Sequence, residues 1–97
     1  MLYYVAHCYE GNPDNLQRAA EITHDLQVAD PDNCYICPLL TFSHLQYGEL
    51  GYGVEMELCL DILTVCDKLI IASGLSKGVY EELKFAEMVG IDVEYLR

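Results

Sequence analysis

The sequence predicts an α/β domain, a small three-layer sandwich with a parallel sheet of about four strands flanked by helices. Two observations predict it. Short β-branched and aromatic runs alternate with stretches of helical periodicity from one end of the chain to the other, the pattern that right-handed crossovers fold into a parallel sheet. And 97 residues, 53% of them apolar, enclose one hydrophobic core and leave no room for a second.

Taken in order, Leu2–Ala6 is a short run of apolar and aromatic residues that reads as a buried strand. A loop, His7–Gly11, follows. Asn12 is a good N-cap, with Pro13 at the first helical position and Asp14 in the first turn. Leu16, Ala19, Ala20, Thr23, Leu26 and Gln27 recur at three-four spacing, so a helix runs from Pro13 to about Ala29. Asp30-Pro31-Asp32-Asn33 carries turn chemistry. Tyr35–Leu40 reads as the second strand, and Thr41–Gly53 as an irregular connection rich in aromatics and glycine. Val54 to Cys66 is a helix, Lys68–Ala72 a strand, and Ser73–Gly78 a turn into a last helix that runs to about Val89 and stops at Gly90. Ile91–Tyr95 alternates and pairs as a fourth strand. The arrangement is flavodoxin/Rossmann-like, and in such sheets ligands sit at the carboxyl ends of the strands. Here those ends are His7–Asn12, Leu40–His44 and Ser73–Gly78.

Composition excludes several function classes. Sixteen acidic against five basic residues give a formal charge of −11, which repels a phosphate backbone, so nucleic-acid polymers are not expected partners. The same charge disfavours an anionic membrane surface, and no apolar run approaches the ~20 residues that span a bilayer. No secretory signal is visible, so the expected location is the cytoplasm. Eight tyrosines and a mean hydropathy of +0.15 place the chain outside the disordered class. Five cysteines are odd in number and read as reduced thiols, mostly core filler. Cys34-Tyr35-Ile36-Cys37 is the one suggestive spacing, but on a strand residues three apart point to opposite faces and no second ligand pair follows. No metal or other cofactor is expected.

The sharpest local signal is a carboxylate on the wrong side of a helix. On a wheel of about 100° per residue started at Val79, Leu83, Gly90 and Ala86 lie within about 40° of the start, and Glu82 falls at about 300°, between Val89 and Ala86. A carboxylate facing the sheet is costly unless it is partnered or opens on a cavity; there it becomes a base of raised pKa or a nucleophile. An ion pair or a dipole interaction at the helix start is the structural alternative. Glu55, in the first turn of the middle helix, is a second candidate, with capping as its structural role. That helix is apolar nearly all round apart from a polar stripe of Glu57, Asp61 and Thr64, which calls for cover on both sides and points to a second subunit. His7 and His44 lie at strand ends and suit acid-base or hydrogen-bonding work near neutral pH. Tyr4, Tyr9 and Tyr47 can stack on a ring. In the turn into the last helix, Ser76 can bond a phosphate or hydroxyl, Lys77 adds charge and Gly78 allows close approach, although an ordinary capping turn needs no ligand.

Three segments together resemble a known family. Tyr3-Tyr4-Val5-Ala6-His7-Cys8-Tyr9 resembles the opening strand of the nucleoside 2-deoxyribosyltransferase-like superfamily. Cys66-Asp67-Lys68-Leu69-Ile70-Ile71 resembles its third strand. Ser76-x-Gly78-x-x-x-Glu82-Leu83-x-Phe85-Ala86-x-x-x-Gly90-Ile91 resembles its turn, catalytic helix and final glycine. The similarity spans almost the whole chain, in order, and is closest to short bacterial and phage members.

The resemblance implies a nucleoside or nucleotide N-glycosidase or deoxyribosyltransferase in which Glu82 is the nucleophile on C1′ of the deoxyribose and Tyr4 stands beside it. Ser76 matches the serine that helps hold the phosphate in the monophosphate glycosidases, which favours a nucleotide. Two positions depart from the family pattern. Cys59 stands where many members carry an aspartate that helps protonate the leaving base, leaving Glu55 and His7 as candidate substitutes. His7-Cys8 replaces the common Gly-Pro. The expected catalytic set is therefore Glu82, Glu55 and His7, with Tyr4, Tyr9, Asn12, His44, Ser76 and Gly78 binding substrate. The expected partners are a small nucleoside or nucleotide and a second copy of the chain, as homodimer or higher homo-oligomer. A non-catalytic module that binds or sequesters a nucleotide metabolite, such as an ADP-ribose derivative, is the alternative.

Overall fold

A computed structural model describes residues 1–96. Four strands, β1 (Leu2–Ala6), β2 (Cys34–Ile36), β3 (Lys68–Ile71) and β4 (Asp92–Tyr95), form one sheet in the order β2-β1-β3-β4, and every pairing is parallel. The register sets Tyr4 beside Ile36 on one side and Leu69 on the other, and Ile71 beside Tyr95. This is the α/β sandwich expected.

Strand alternation decides which residues face which layer. Val5 points to the side covered by α1 (Pro13–Ala29) and the short α2 (Pro38–Thr41), where it packs with Ala19 and Cys37. Tyr4, Ala6, Leu69 and Ile71 point the other way, onto Leu63 of α3 (Tyr52–Thr64) and Val79, Leu83 and Ala86 of α4 (Lys77–Val89). The central strands are apolar on both faces because both faces are covered.

The chain leaves β1 toward one edge of the sheet and leaves β3 toward the other, so a crevice opens between the carboxyl ends of β1 and β3. Its floor is stitched together by the Ala72 N–H donating to the Ala6 carbonyl at 2.9 Å and the Cys8 N–H donating to Ser73 Oγ at 2.8 Å. At the opposite ends of the same strands, the Asp67 N–H donates to the Leu2 carbonyl and the Leu2 N–H to Asp67 Oδ2, each at 2.7 Å. That two-way clasp gives the Cys66-Asp67 motif a structural role in setting the β1–β3 register.

The third and fourth strands differ from the sequence reading by one residue each, at Ile71 and Asp92, and the second strand and the middle helix by more. The second strand ends at Ile36, and Pro38–Thr41 is a helical turn instead of the rest of a strand. Pro38 has no N–H to give a ladder, and at the first helical position none is needed. The middle helix starts two residues earlier, at Tyr52, and ends at Thr64. On its outer side Val54 and, just past its end, Val65 are exposed, as are Glu57, Asp61 and Thr64.

Candidate functional site

The crevice deepens into a cavity of about 550 Å³, inside the ~300–1,000 Å³ range of small-molecule sites. Its walls come from His7, Tyr9 and Glu10 after β1, from Leu39, Phe42, Ser43 and Leu45–Tyr47 around and after α2, from Tyr52, Glu55, Met56, Leu58 and Cys59 on α3, and from Ser76–Val79 and Glu82 at the start of α4.

Glu82 reaches the cavity because of how α4 starts. The Ser76 hydroxyl accepts from the Val79 N–H at 3.3 Å and caps the helix, which turns Val79, Leu83 and Ala86 onto the sheet and carries Glu82 with them. Glu82 is 7% exposed. The Tyr4 hydroxyl, rising from β1, donates to its Oε2. Oε1 has no protein partner among the described residues, yet no buried side-chain oxygen or nitrogen there is left without one. Oε1 is therefore the oxygen that opens on the cavity Glu82 lines. Burial pushes the Glu82 carboxyl up to about 7, the bond from Tyr4 draws it down, and Glu81 adds a smaller upward push.

Beside this carboxylate a phenol and a thiol hold their protons tightly. Burial, then the Glu82 charge and Cys59, raise the Tyr4 phenol well above its ordinary range. The Cys59 thiol, beside Tyr4 and on the cavity wall, is pushed up to about 11, by burial first and by Glu82 second. His7 is buried and its Nδ1 stands 2.7 Å from the Cys8 carbonyl oxygen. A carbonyl can only accept, so the neutral ring carries its proton on Nδ1 and presents Nε2 as an acceptor. Glu55 lines the cavity and accepts from the Leu50 N–H on Oε2 at 3.1 Å, which ties the preceding loop to the first turn of α3.

The mouth is aromatic. Tyr9 and Tyr47 meet edge to face with ring centres 5.4 Å apart, and Gly11, at φ +73°, lets the backbone lie against the Tyr47 ring. The Lys77 ammonium sits 4.5 Å from the centre of the Tyr52 ring. Burial, then Glu81, pushes the Tyr52 phenol up to about 12. Gly78 lies where α4 meets α3, and a methyl group there would make ordinary van der Waals contact with the Met56 Cε at 3.4 Å.

Of the residues singled out from the sequence, His7, Tyr9, Glu55, Ser76, Gly78 and Glu82 converge on the cavity, with Tyr4 directly behind Glu82. Asn12 and His44 are not on its wall. Asn12 is exposed and caps α1, its Oδ1 accepting from the Asp14 N–H at 2.9 Å, and His44 is exposed on the connection after α2. Sequence reasoning missed Phe42, Leu45 and Tyr52, all in the segment it left irregular; its aromatic and glycine content was the available signal. Cys34 is exposed while Cys37 is buried against Val5 and Ala19, so the two thiols do not face one another's surroundings. Among the described residues no three His, Cys, Asp or Glu side chains gather as metal ligands.

No family model matches the chain, and no curated protein or solved structure is significantly similar to it.

Proposed function

We propose that this protein is a nucleoside or nucleotide N-glycosidase, or a deoxyribosyltransferase-like enzyme, with Glu82 as the nucleophile on C1′ of the sugar. One observation carries the reading: a carboxylate buried under α4 has one oxygen held by Tyr4 and the other open to a cavity of nucleoside size. An ordinary structural carboxylate would be satisfied on both oxygens or face solvent. The hydroxyl of Tyr4 fixes the rotamer of the carboxylate, which prepays the orientation of an attack on C1′. The transition state is oxocarbenium-like, and the further carboxylates Glu55 and Glu10 on the wall favour its positive charge. His7 Nε2 is available to accept a proton from the water that releases the sugar. Tyr9, Tyr47 and Tyr52 offer rings for a planar base. In this reading a second copy covers the exposed Val54 and Val65 beside α3.

A nucleotide-binding module without catalysis is the second reading, favoured by the weakly acidic Cys59 thiol where a proton donor would serve a glycosidase. The test is incubation with nucleosides, 2′-deoxynucleosides and their 5′-monophosphates, scored for free base by chromatography, with Glu82→Ala in parallel. Base release that disappears in Glu82→Ala supports the mechanism, and release that survives it overturns the assignment of Glu82. Melting shifts with ligand but no base release at any enzyme concentration move the assignment to the binding module.

A further inference from the structure

A base leaving a nucleoside as an anion is a poor leaving group, and protonating it in the transition state is worth ~10²–10⁴-fold. The wall of this cavity is short of groups that can give that proton. The Nδ1–H of His7 is taken up by the Cys8 carbonyl. Glu55 accepts a hydrogen bond from the Leu50 N–H. The thiol of Cys59 and the phenol of Tyr52 are raised to about 11 and about 12. Lys77 is drawn to the face of Tyr52 at the mouth. Glu82 is the attacking group.

The same wall attracts positive charge. It presents the carboxylates of Glu10, Glu55 and Glu82 against the single ammonium of Lys77, and the rings of Tyr9, Tyr47 and Tyr52 stand on it. That Lys77 rests 4.5 Å over Tyr52 shows a ring face here already holding a cation.

Resting on the glycosidase reading above, we propose that the bond cleaved is one to a base that already carries positive charge, an N-glycosylated pyridinium or a similar aromatic cation. Glu82 Oε1 forms a bond to C1′ as the C1′–N bond breaks. The electron pair of that bond returns to the ring nitrogen and neutralises its charge, so the base departs without needing a proton. Water then attacks C1′ of the glycosyl ester, His7 Nε2 takes the water proton, and the Glu82 carboxylate is restored with free sugar as product. No oxidant or reductant takes part.

The experiment compares kcat/KM of the unmodified protein for nicotinamide riboside and nicotinamide 2′-deoxyriboside with that for adenosine, inosine, 2′-deoxyadenosine and thymidine. Inhibition by 1-methylnicotinamide, a pyridinium cation, is compared with that by neutral nicotinamide. The pyridinium nucleosides are expected to exceed every neutral-base nucleoside by at least ~100-fold, and the cation to inhibit at least ~10-fold more tightly than the neutral ring. Neutral-base nucleosides cleaved within about tenfold of the pyridinium ones, with cleavage still lost in Glu82→Gln, overturn the proposal and leave the glycosidase reading standing. Cleavage of none of the six overturns both.

Discussion

The phenol of Tyr4 donates to Oε2 of Glu82 across 78 residues of sequence, joining the first strand to the last helix under the floor of the cavity. Both groups are buried, and their effects on one another differ in sense: Glu82 raises the cost of ionising the phenol, while the hydrogen bond from the phenol favours the Glu82 carboxylate. The pair therefore sets how much of Glu82 is ionised near neutrality.

If Glu82 attacks as a carboxylate, base release rises as pH climbs through about 7 and levels off above it. In Tyr4→Phe the only downward influence on the carboxyl is gone, so the midpoint moves to higher pH. The pH dependence of kcat/KM measures this, and the carbon-13 chemical shift of the Glu82 carboxyl reports the same midpoint without any substrate.

Stability carries the same signature. With the ordinary value at 4.5 and the folded value at about 7, the folded state holds a proton between those limits that the unfolded state has released. The contribution is complete below about pH 4.5 and is lost as pH rises through about 7, an effect on the order of 3 kcal/mol. Glu82→Gln removes the titration while keeping an acceptor for Tyr4. Urea unfolding of the two proteins is expected to show the variant gaining up to about 3 kcal/mol on the wild type between about pH 5 and about pH 8.

Thiol labelling reads the burial pattern. Cys34 is exposed, Cys37 and Cys66 are buried, and burial pushes the thiols of Cys59 and Cys66 up to about 11. With iodoacetamide at about pH 8 and peptide mass spectrometry as the readout, Cys34 is modified early. Cys59 and Cys66 are expected to lag by ~100-fold or more because so little thiolate forms.

Gln27 anchors the end of α1 to β2. Its Oε1 accepts from the Tyr35 N–H at 2.9 Å, and its Nε2 donates to the Asn33 carbonyl at 2.7 Å. Gln27→Ala leaves those half-buried backbone groups without partners and is expected to cost about 1–3 kcal/mol, seen as a lower urea midpoint with an unchanged slope.

Much of this molecule is legible one residue at a time. The caps at Asn12 and Ser76, the αL stop at Gly90 and the apolar runs of β1 and β3 follow local rules that the sequence states directly. The inward-facing Glu82 is legible for the same reason, since helical periodicity is local and a carboxylate in an apolar arc breaks it. Pro38 shows the limit. A proline both ends a strand and starts a helix, and only the cover that α2 gives to Val5 decides between them. The sequence also counted Asn12 and His44 among the substrate-binding residues from their place at the strand ends, but both side chains are exposed and off the cavity wall.

By itself, then, the sequence determined the element order apart from α2, the parallel α/β architecture and the one helix face on which an acid is buried, because each depends on spacing within a few residues. Tertiary structure alone decided that Tyr4 meets Glu82, that Cys59 stands beside them, that the Nδ1–H of His7 is taken up by a carbonyl, and that the segment after α2 closes a cavity over all four. Those relations join residues tens of positions apart, and no local periodicity encodes a distance of that kind; the strand order β2-β1-β3-β4 does.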